Sequence, residues 1–372
     1  MQKKYTSLGL MSGTSGDGVD ASIINSNGID QFEVVQDKYF EYDSNIYKGI
    51  HSLKKKINSL KDLRKFSNEI REIERKITLF HAKIIKDLVP KNEDNLVGFH
   101  GQTIYHNSKE KTSIQLGDGK LLNQLTKKKI IHNFRKNDLL NGGEGAPLTP
   151  LFHQLIVTQQ KIDLPICILN IGGISNVTII KKPIGSMEIY SKDIGPGNCL
   201  IDEWIRNNCN KKFDRDGQLA ASGKINEIIF EQAQELYANR KNKYKLSLDV
   251  SDFDISFSRG LSLEDGAATL TEITANIIGA TLFSILSKEI FVKDILVCGG
   301  GRKNKILLKA ISKYLNSKLN LKQIDEYGVN GDFVESQAFA FLAIRSFKNL
   351  PISFPNTTGC KEPCIGGEII KY

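Results

Sequence analysis

Three glycine loops and two carboxylates hold the residue types in this chain that could do chemistry. Between Leu8 and Ile24 the sequence reads LGLMSGTSGDGVDASII. Gly13, Gly16 and Gly18 allow the main chain to take positive φ and come close to a ligand, so that successive N–H groups converge on a phosphate. Ser12, Thr14 and Ser15 add hydroxyl donors, and Asp17 and Asp20 offer carboxylates able to hold Mg2+ through its water shell. The stretch has neither the GK[ST] ending of a Walker loop nor a G-x-G-x-x-G leading into a helix, so those two phosphate motifs do not apply. A bare hairpin turn would be satisfied by Asp-Gly alone. LNIGGISNVT, with Gly172, Gly173, Ser175 and Asn176, repeats the layout of strand, Gly turn and strand; ILVCGGGRKN sets Gly299, Gly300 and Gly301 between a strand and a helix. Of the carboxylates, Asp193 in YSKDIGPGN ends an extended run ahead of a Gly-Pro turn, where it serves either as a general base or as an ordinary turn or N-cap Asp. Glu335 in DFVESQAFAF stands in the first turn of an apolar helix, a place that the helix dipole favours for any acid.

These groups need a scaffold, and the hydrophobic pattern supplies one. Ile70, Ile73, Ile77, Phe80, Ile84 and Leu88 recur at helical spacing and predict a helix over 68–89, stopped by Pro90. NLVGFHG and KIIHNF read as short strands, and NGGEGAPLTP as a turn into a helix starting near Pro150. Further helices are expected over 197–208 and 225–238, from Ser262, from Asn304 and over 334–347, with DILVCGGG as a buried strand. A chain of 372 residues exceeds one ordinary core, so two domains are expected. The two hairpins lie about one domain length apart and share pattern rather than sequence. The expected division is residues 1–134 plus 347–372 against 135–346.

The composition, 40% hydrophobic and 25% charged, is that of a globular protein rather than a disordered one. The net charge of +9 comes from lysines scattered in short groups such as Lys54 to Lys56, without the basic, aromatic-interleaved block of a nucleic-acid binder. The N-terminus lacks a signal-peptide core and the apolar run Ala275 to Leu286 is too short to span a bilayer, so a cytoplasmic protein without a membrane partner is expected. Six dispersed cysteines fit free thiols. Cys360 and Cys364 have no second Cys or His pair to complete a zinc site, and His100 and His106 need not converge, so no metal ligation by these side chains is expected.

Two phosphate hairpins followed by a strand, a Gly-Gly turn and a helix resemble the plan of the actin-like, hexokinase-like ATPases. More specifically, MSGTSGDGVD, GFHGQTIYH, NFRKNDLLNGGEGAPLTP, LNIGGISNVT, DIGPGNCLIDEW, DRDGQLAASG, CGGGRKN and GDFVESQAFAFLA resemble, in order, the motifs of the anhydro-N-acetylmuramic acid kinases. Gly16 stands where that family usually has Leu and Glu144 where it usually has Gln, and NTTGCKEPCIGG matches the family's ending only loosely.

The resemblance implies a two-domain α/β fold of the duplicated, ribonuclease H-like type with a cleft between the domains. It implies an enzyme that uses ATP and Mg2+ to open 1,6-anhydro-N-acetylmuramic acid with water and phosphorylate its 6-oxygen in cell-wall recycling, working as a homodimer. Asp193 matches the family's catalytic base and also contacts the sugar. Gly13, Thr14, Ser15, Gly16, Asp17, Gly18, Val19 and Asp20 would cradle the phosphates, opposite Gly172, Gly173, Ser175, Asn176, Gly195 and Gly197. Gly299, Gly300 and Gly301 would lie against the adenosine. Gln102, Thr103, Arg135 and Glu335 would bind the sugar, with Arg135 on its carboxylate unless it pairs with Asp138 instead. Gly16 in place of Leu should cost the loop an apolar anchor, and Glu144 sets a negative charge near an anionic sugar. Two other readings compete: a kinase of the same fold for a different acidic sugar, and an actin-like protein that uses ATP only as a switch.

Overall fold

The β-branched runs of the sequence become twelve strands in the computed structural model, which describes residues 3–90, 93, 95–186, 188–238, 247–287 and 291–371. In chain order they are β1 (Tyr5–Ser12), β2 (Gly18–Ser26), β3 (Phe32–Glu41), β4 (Leu96–Asn107), β5 (Thr112–Leu116), β6 (Lys129–His132), β7 (Ile166–Ile171), β8 (Ile174–Ile180), β9 (Ile189–Pro196), β10 (Asp294–Cys298), β11 (Asn320–Gln323) and β12 (Glu368–Ile370). One sheet runs β12-β6-β4-β1-β2-β3, with β5 on β4, and the other runs β11-β10-β7-β8-β9. In each, a Gly-turn hairpin is antiparallel, β1 with β2 and β7 with β8, and a later strand, β4 or β10, lies parallel to its first member. With β5 and the edge strand β12 set aside, the two sheets therefore have the same order, β3-β2-β1-β4-β6 and β9-β8-β7-β10-β11. This is the duplicated α/β fold that the sequence resemblance implies.

The chain divides into two compact units, Met1–Ile162 with Lys182–Tyr190 and Phe333–Tyr372, and Asp163–Lys181 with Ser191–Asp332. The expected boundaries at 134/135 and 346/347 differ from this division, because two helices beyond them pack in the first unit. The Pro150–Gln159 helix holds the start of β3: Phe32 N donates to Gln159 Oε1 at 2.9 Å, and the Phe32 and Phe152 rings lie 4.9 Å apart. The Val334–Phe347 helix lies flat on the sheet where Gly9 of β1 pairs with Gly98 of β4. A Cβ on Gly9 would stand 1.9 Å from Ser336 O, and one on Gly98 2.3 Å from Phe339 O, so only this glycine pair admits the helix backbone.

On the opposite face of the first sheet, the Ser67–Leu88 helix buries Ile73, Ile77, Ile84 and Ile85 against Leu8, Leu10 and Val97. The Ser44–Lys56 helix adds Ile46, Ile50 and Leu53; Asp43 caps its start and Lys54, Lys55 and Lys56 fill its last turn, each charge opposing the helix dipole. The second unit has two apolar clusters, one on β7, β8 and β10 and one around Trp204. Its Leu263–Leu286 helix is the one described helix long and apolar enough to cross a membrane, yet 61% of its most apolar window is buried inside the protein, as in a core helix.

Candidate active site

In the first unit the β1–β2 turn is braced by side chains. Gly16 N closes the turn on Gly13 O at 3.1 Å, and Gly16 takes φ +63°, the left-handed conformation that glycine adopts without strain. Gln102 Nε2 of β4 donates to Gly13 O at 3.0 Å, and Lys54 Nζ donates to Thr14 O. Tyr42 bonds twice, its N–H to Asp17 O at 2.9 Å and its hydroxyl with Ser12 Oγ at 2.7 Å. Gly16 is buried, and a Cβ there would meet Ile50 Cγ2 at 2.9 Å, so the helix side chain occupies the volume a leucine anchor would need. Gly18 is equally tight, 2.5 Å from Phe40 O by the same measure, while the Val19 side chain belongs wholly to the core.

Negative charge gathers beside this turn. Burial pushes the Tyr39 phenol well above its ordinary pKa, and the charges of Asp17, Asp20 and Glu41 push it further. Asp17 also accepts Ser15 Oγ at 2.5 Å. Oxygen donors of this kind suit a hard divalent cation such as Mg2+.

Gln102 and Thr103 are neighbours on β4 but face different partners. The Gln102 Oε1 atom is buried and has no hydrogen-bond partner among the described residues, whereas Thr103 Oγ1 accepts from Gln115 Nε2 at 3.2 Å. His100 donates from Nδ1 to Gly101 O at 2.7 Å, which leaves Nε2 to accept from Arg135 Nη2 at 2.9 Å. Burial and then the Arg135 charge hold the imidazole well below its usual pKa, so this acceptor is a neutral ring. Arg135 Nη1 donates to Gly145 O at 2.7 Å. The alternative pairing with Asp138 is not formed: that carboxylate accepts from Ser353, Thr358 and Gly145 N. His106 turns to Ser113 Oγ at 2.9 Å. Glu335 begins the helix set on Gly9 and Gly98, whose first turn is fixed by Ser336 Oγ on Ser22 Oγ at 2.7 Å and by Gln337 Nε2 on Asp37 at 3.0 Å. Glu144, half-buried, ties its N–H to Thr358 O at 2.8 Å.

In the second unit the corresponding turn is held by backbone. Gly197 N donates to Gly173 O at 2.9 Å and Asn198 N to Gly172 O at 2.8 Å, so the start of the Cys199–Asn208 helix grips the β7–β8 turn. A Cβ on Gly197 would stand 2.2 Å from Gly172 O. Gly299 (φ +79°) and Gly301 pack on the same hairpin: added Cβ atoms would lie 2.4 Å from Asn170 Oδ1 and 2.2 Å from Ile171 Cγ2. Gly300 alone is exposed, with nothing within 4 Å of that position. Gly195 abuts Ile277. Ser175 Oγ and Asn176 Oδ1 are buried without a partner among the described residues, although Ser175 lies beneath Gly197 and backs the turn. Asp193, 6% exposed on β9, accepts Leu248 N on Oδ2 at 2.8 Å.

Gly172, Gly173, Gly197, Gly299 and Gly301 are thus one cluster, and Gln102 joins the Gly13–Gly18 turn. Sequence reasoning missed the supports: Tyr42, Lys54, Leu248 and Arg302. Arg302, 4% exposed, donates to Gly299 O at 3.2 Å and bridges Asp325 and Asp332 at 2.7 and 2.6 Å. Its one signal in the sequence is its place after the Gly triplet. Within the second unit, backbone that approaches within a Cβ's width, the buried Ser175 and Asn176 oxygens and the sheltered Asp193 carboxylate are equipped to bind an anion and move a proton.

A family model described as anhydro-N-acetylmuramic acid kinase matches residues 5–372. The chain is 54% identical over 375 residues to the anhydro-N-acetylmuramic acid kinase of Pelagibacter ubique, covering 100% of both chains. It is 35% identical to the same-named proteins of Gluconobacter oxydans, over 98% of this chain and 99% of that one, and of Agrobacterium fabrum, over 100% of both.

Proposed function

The chain belongs to the anhydro-N-acetylmuramic acid kinase family, and we propose that it uses ATP and water to convert 1,6-anhydro-N-acetylmuramic acid into N-acetylmuramic acid 6-phosphate and ADP, in cell-wall recycling. Asp193 is the general base. It takes a proton from water as the water oxygen bonds to the anomeric carbon. The bond from that carbon to the bridging 6-oxygen breaks, and the freed electron pair on the 6-oxygen attacks the γ-phosphorus of ATP, releasing ADP. One carboxylate starts both events, because the departing bridge oxygen needs no second base.

The observation that carries this reading is the setting of Asp193. It is 6% exposed, oriented by the Leu248 amide, and two residues before the Gly195–Gly197 wall that grips the second hairpin. Residues 13–20 would bind the β- and γ-phosphates, and residues 172, 173, 175, 176, 195 and 197 would complete the phosphate contacts through backbone and amide groups. Gly299 to Gly301 would receive the adenosine, with Gly300 the position open to it. Asp17 and Asp20 would hold Mg2+, which would neutralise charge on the phosphates. Arg135, steadied by neutral His100, would take the sugar carboxylate, with Gln102 Oε1, Thr103 and Glu335 on the ring substituents. We place the enzyme in the cytoplasm as a homodimer.

Product made in ¹⁸O-labelled water tests the reaction: one label together with one phosphoryl group is expected, and a phosphorylated product without label would leave plain kinase chemistry in its place. Asp193→Asn should leave ATP and sugar affinity within about threefold and lower kcat by roughly 10³ or more. Near-normal turnover in that variant would remove Asp193 as the base.

A further inference from the structure

Away from these residues, one buried cluster has the chemistry of a ligand set. Asp138, Cys360 and Cys364 bring a carboxylate oxygen and two sulfurs within 4.8 Å of one another. All three are buried, at 1%, 2% and 4% exposure. The fold assembles them from distant parts of the sequence, which is why cysteine spacing alone found no complete site. Gly359, at φ +77°, turns the chain after the short Pro355–Thr358 helix and brings Cys360 back. Cys364 is fixed by a bridge to Ser353, with Cys364 N on Ser353 O at 3.0 Å and Ile352 N on Cys364 O at 2.8 Å. Lys361 N donates to Asn141 O at 3.2 Å and ties this loop to the segment after Asp138.

The Asp138 carboxylate is partly satisfied, and by neutral donors. Oδ1 accepts Ser353 Oγ and Thr358 Oγ1, both at 2.6 Å, and Oδ2 accepts Gly145 N at 2.7 Å. A carboxylate offers about four lone-pair sites, so one remains, on Oδ2. No Lys, Arg or His nitrogen among the described residues forms an ion pair with it. Buried charges are ordinarily paired or bound to a metal.

We propose that Asp138, Cys360 and Cys364 bind one zinc-like divalent cation, through the carboxylate and two thiolates, with water or a neighbouring hydroxyl as fourth ligand. Two sulfurs favour such a borderline-soft ion over Mg2+ or Ca2+. Binding displaces the two thiol protons. The ion clamps the C-terminal loop to the 138–145 segment, whose Gly145 carbonyl receives Arg135.

The full chain, stripped with a chelator and kept in a thiol-free reducing agent, is given Co2+ and desalted. One cobalt retained per chain is expected, with a thiolate-to-cobalt charge-transfer band that Zn2+ bleaches, and a Tm raised by about 3 °C or more with Zn2+. Cys360→Ala with Cys364→Val should abolish the band, and Asp138→Asn should weaken retention more than about tenfold. Cobalt lost from the wild-type chain on desalting, a band that persists in the double cysteine variant, or a Cys360–Cys364 disulfide formed under the reducing conditions would each overturn the site.

Discussion

The two glycine hairpins have the same place in their sheets and are held by opposite means. The β1–β2 turn rests on side chains, Gln102, Lys54, Tyr42 and Ile50, brought from β4, from a helix and from the loop after β3. The β7–β8 turn rests on main chain, with Gly197 N, Asn198 N and Cys199 N donating to Gly172 O and Gly173 O. Each solution fixes a turn, but at Gly16 the obstruction is the Ile50 side chain, which can be shortened, whereas at Gly197 it is the Gly172 carbonyl, which every residue type carries.

Gly197→Ala attacks the second hairpin where it cannot adjust. The new Cβ would stand 2.2 Å from Gly172 O, a backbone atom, so the turn or the helix start must move and the hydrogen bonds between them break. Loss of kcat/KM for ATP by roughly 10³ is expected, more than 4 kcal/mol of transition-state stabilisation, without rescue by substitutions elsewhere. A variant with a tenth of normal activity would show this hairpin to be as adjustable as the first.

The units also differ in how they meet acid. All six histidines of the sequence lie before Ile162, in the first unit, and the single tryptophan, Trp204, lies in the second. Burial alone lowers His153 to about 3. Burial lowers His81 to about 4, against a smaller opposing hydrogen bond, and His100 is held well below its ordinary value by burial and Arg135. Folded, these rings stay neutral. Unfolded, they take up a proton below pH 6.5, so stability present above that pH is lost as pH falls toward about 4. Each contributes about 1.4 kcal/mol per pH unit and the three together about 4. Between pH 6.5 and 5, urea should therefore melt the far-UV CD signal of the first unit before it changes Trp204 fluorescence, and His81→Phe should narrow the gap. Coincident transitions at pH 5 would mean that the units unfold as one.

The same contrast explains what could be read from the sequence. Both hairpins, the helix over 334–347 and the Gly triplet were visible because strand, turn and helix periodicities are local. Asp193 stood out as a carboxylate beside a Gly-Pro turn, though its strand runs on through Pro196. The braces were not visible, since nothing near Tyr42 or Lys54 in the sequence says that they meet residues 12–17. Gly9 and Gly98 are ordinary strand glycines until β1 and β4 pair and lay them side by side under one helix. The boundary expected at residue 134 differs from the division into compact units for the same reason: a turn is local, whereas the packing of the Pro150–Gln159 helix on Phe32 is not.

Smaller effects should come from the first hairpin. Gly16→Leu puts a side chain at a position with φ +63° whose Cβ would meet Ile50 Cγ2 at 2.9 Å. Left-handed strain of about 1–2 kcal/mol should weaken ATP roughly tenfold, and Ile50→Ala in the same chain should recover part of that by removing the obstruction while leaving the strain. Full recovery would mean that volume alone sets the turn. Gln102→Met tests the mildest brace, because it keeps the side chain's bulk and removes the 3.0 Å bond to Gly13 O. Losing one such bond should cost about 1 kcal/mol, near fivefold in ATP affinity by calorimetry. It also removes the buried Oε1 atom that we propose binds the sugar. A sugar KM that rises further than the ATP affinity falls would show that the Oε1 atom serves the substrate, and equal changes would confine Gln102 to bracing the turn.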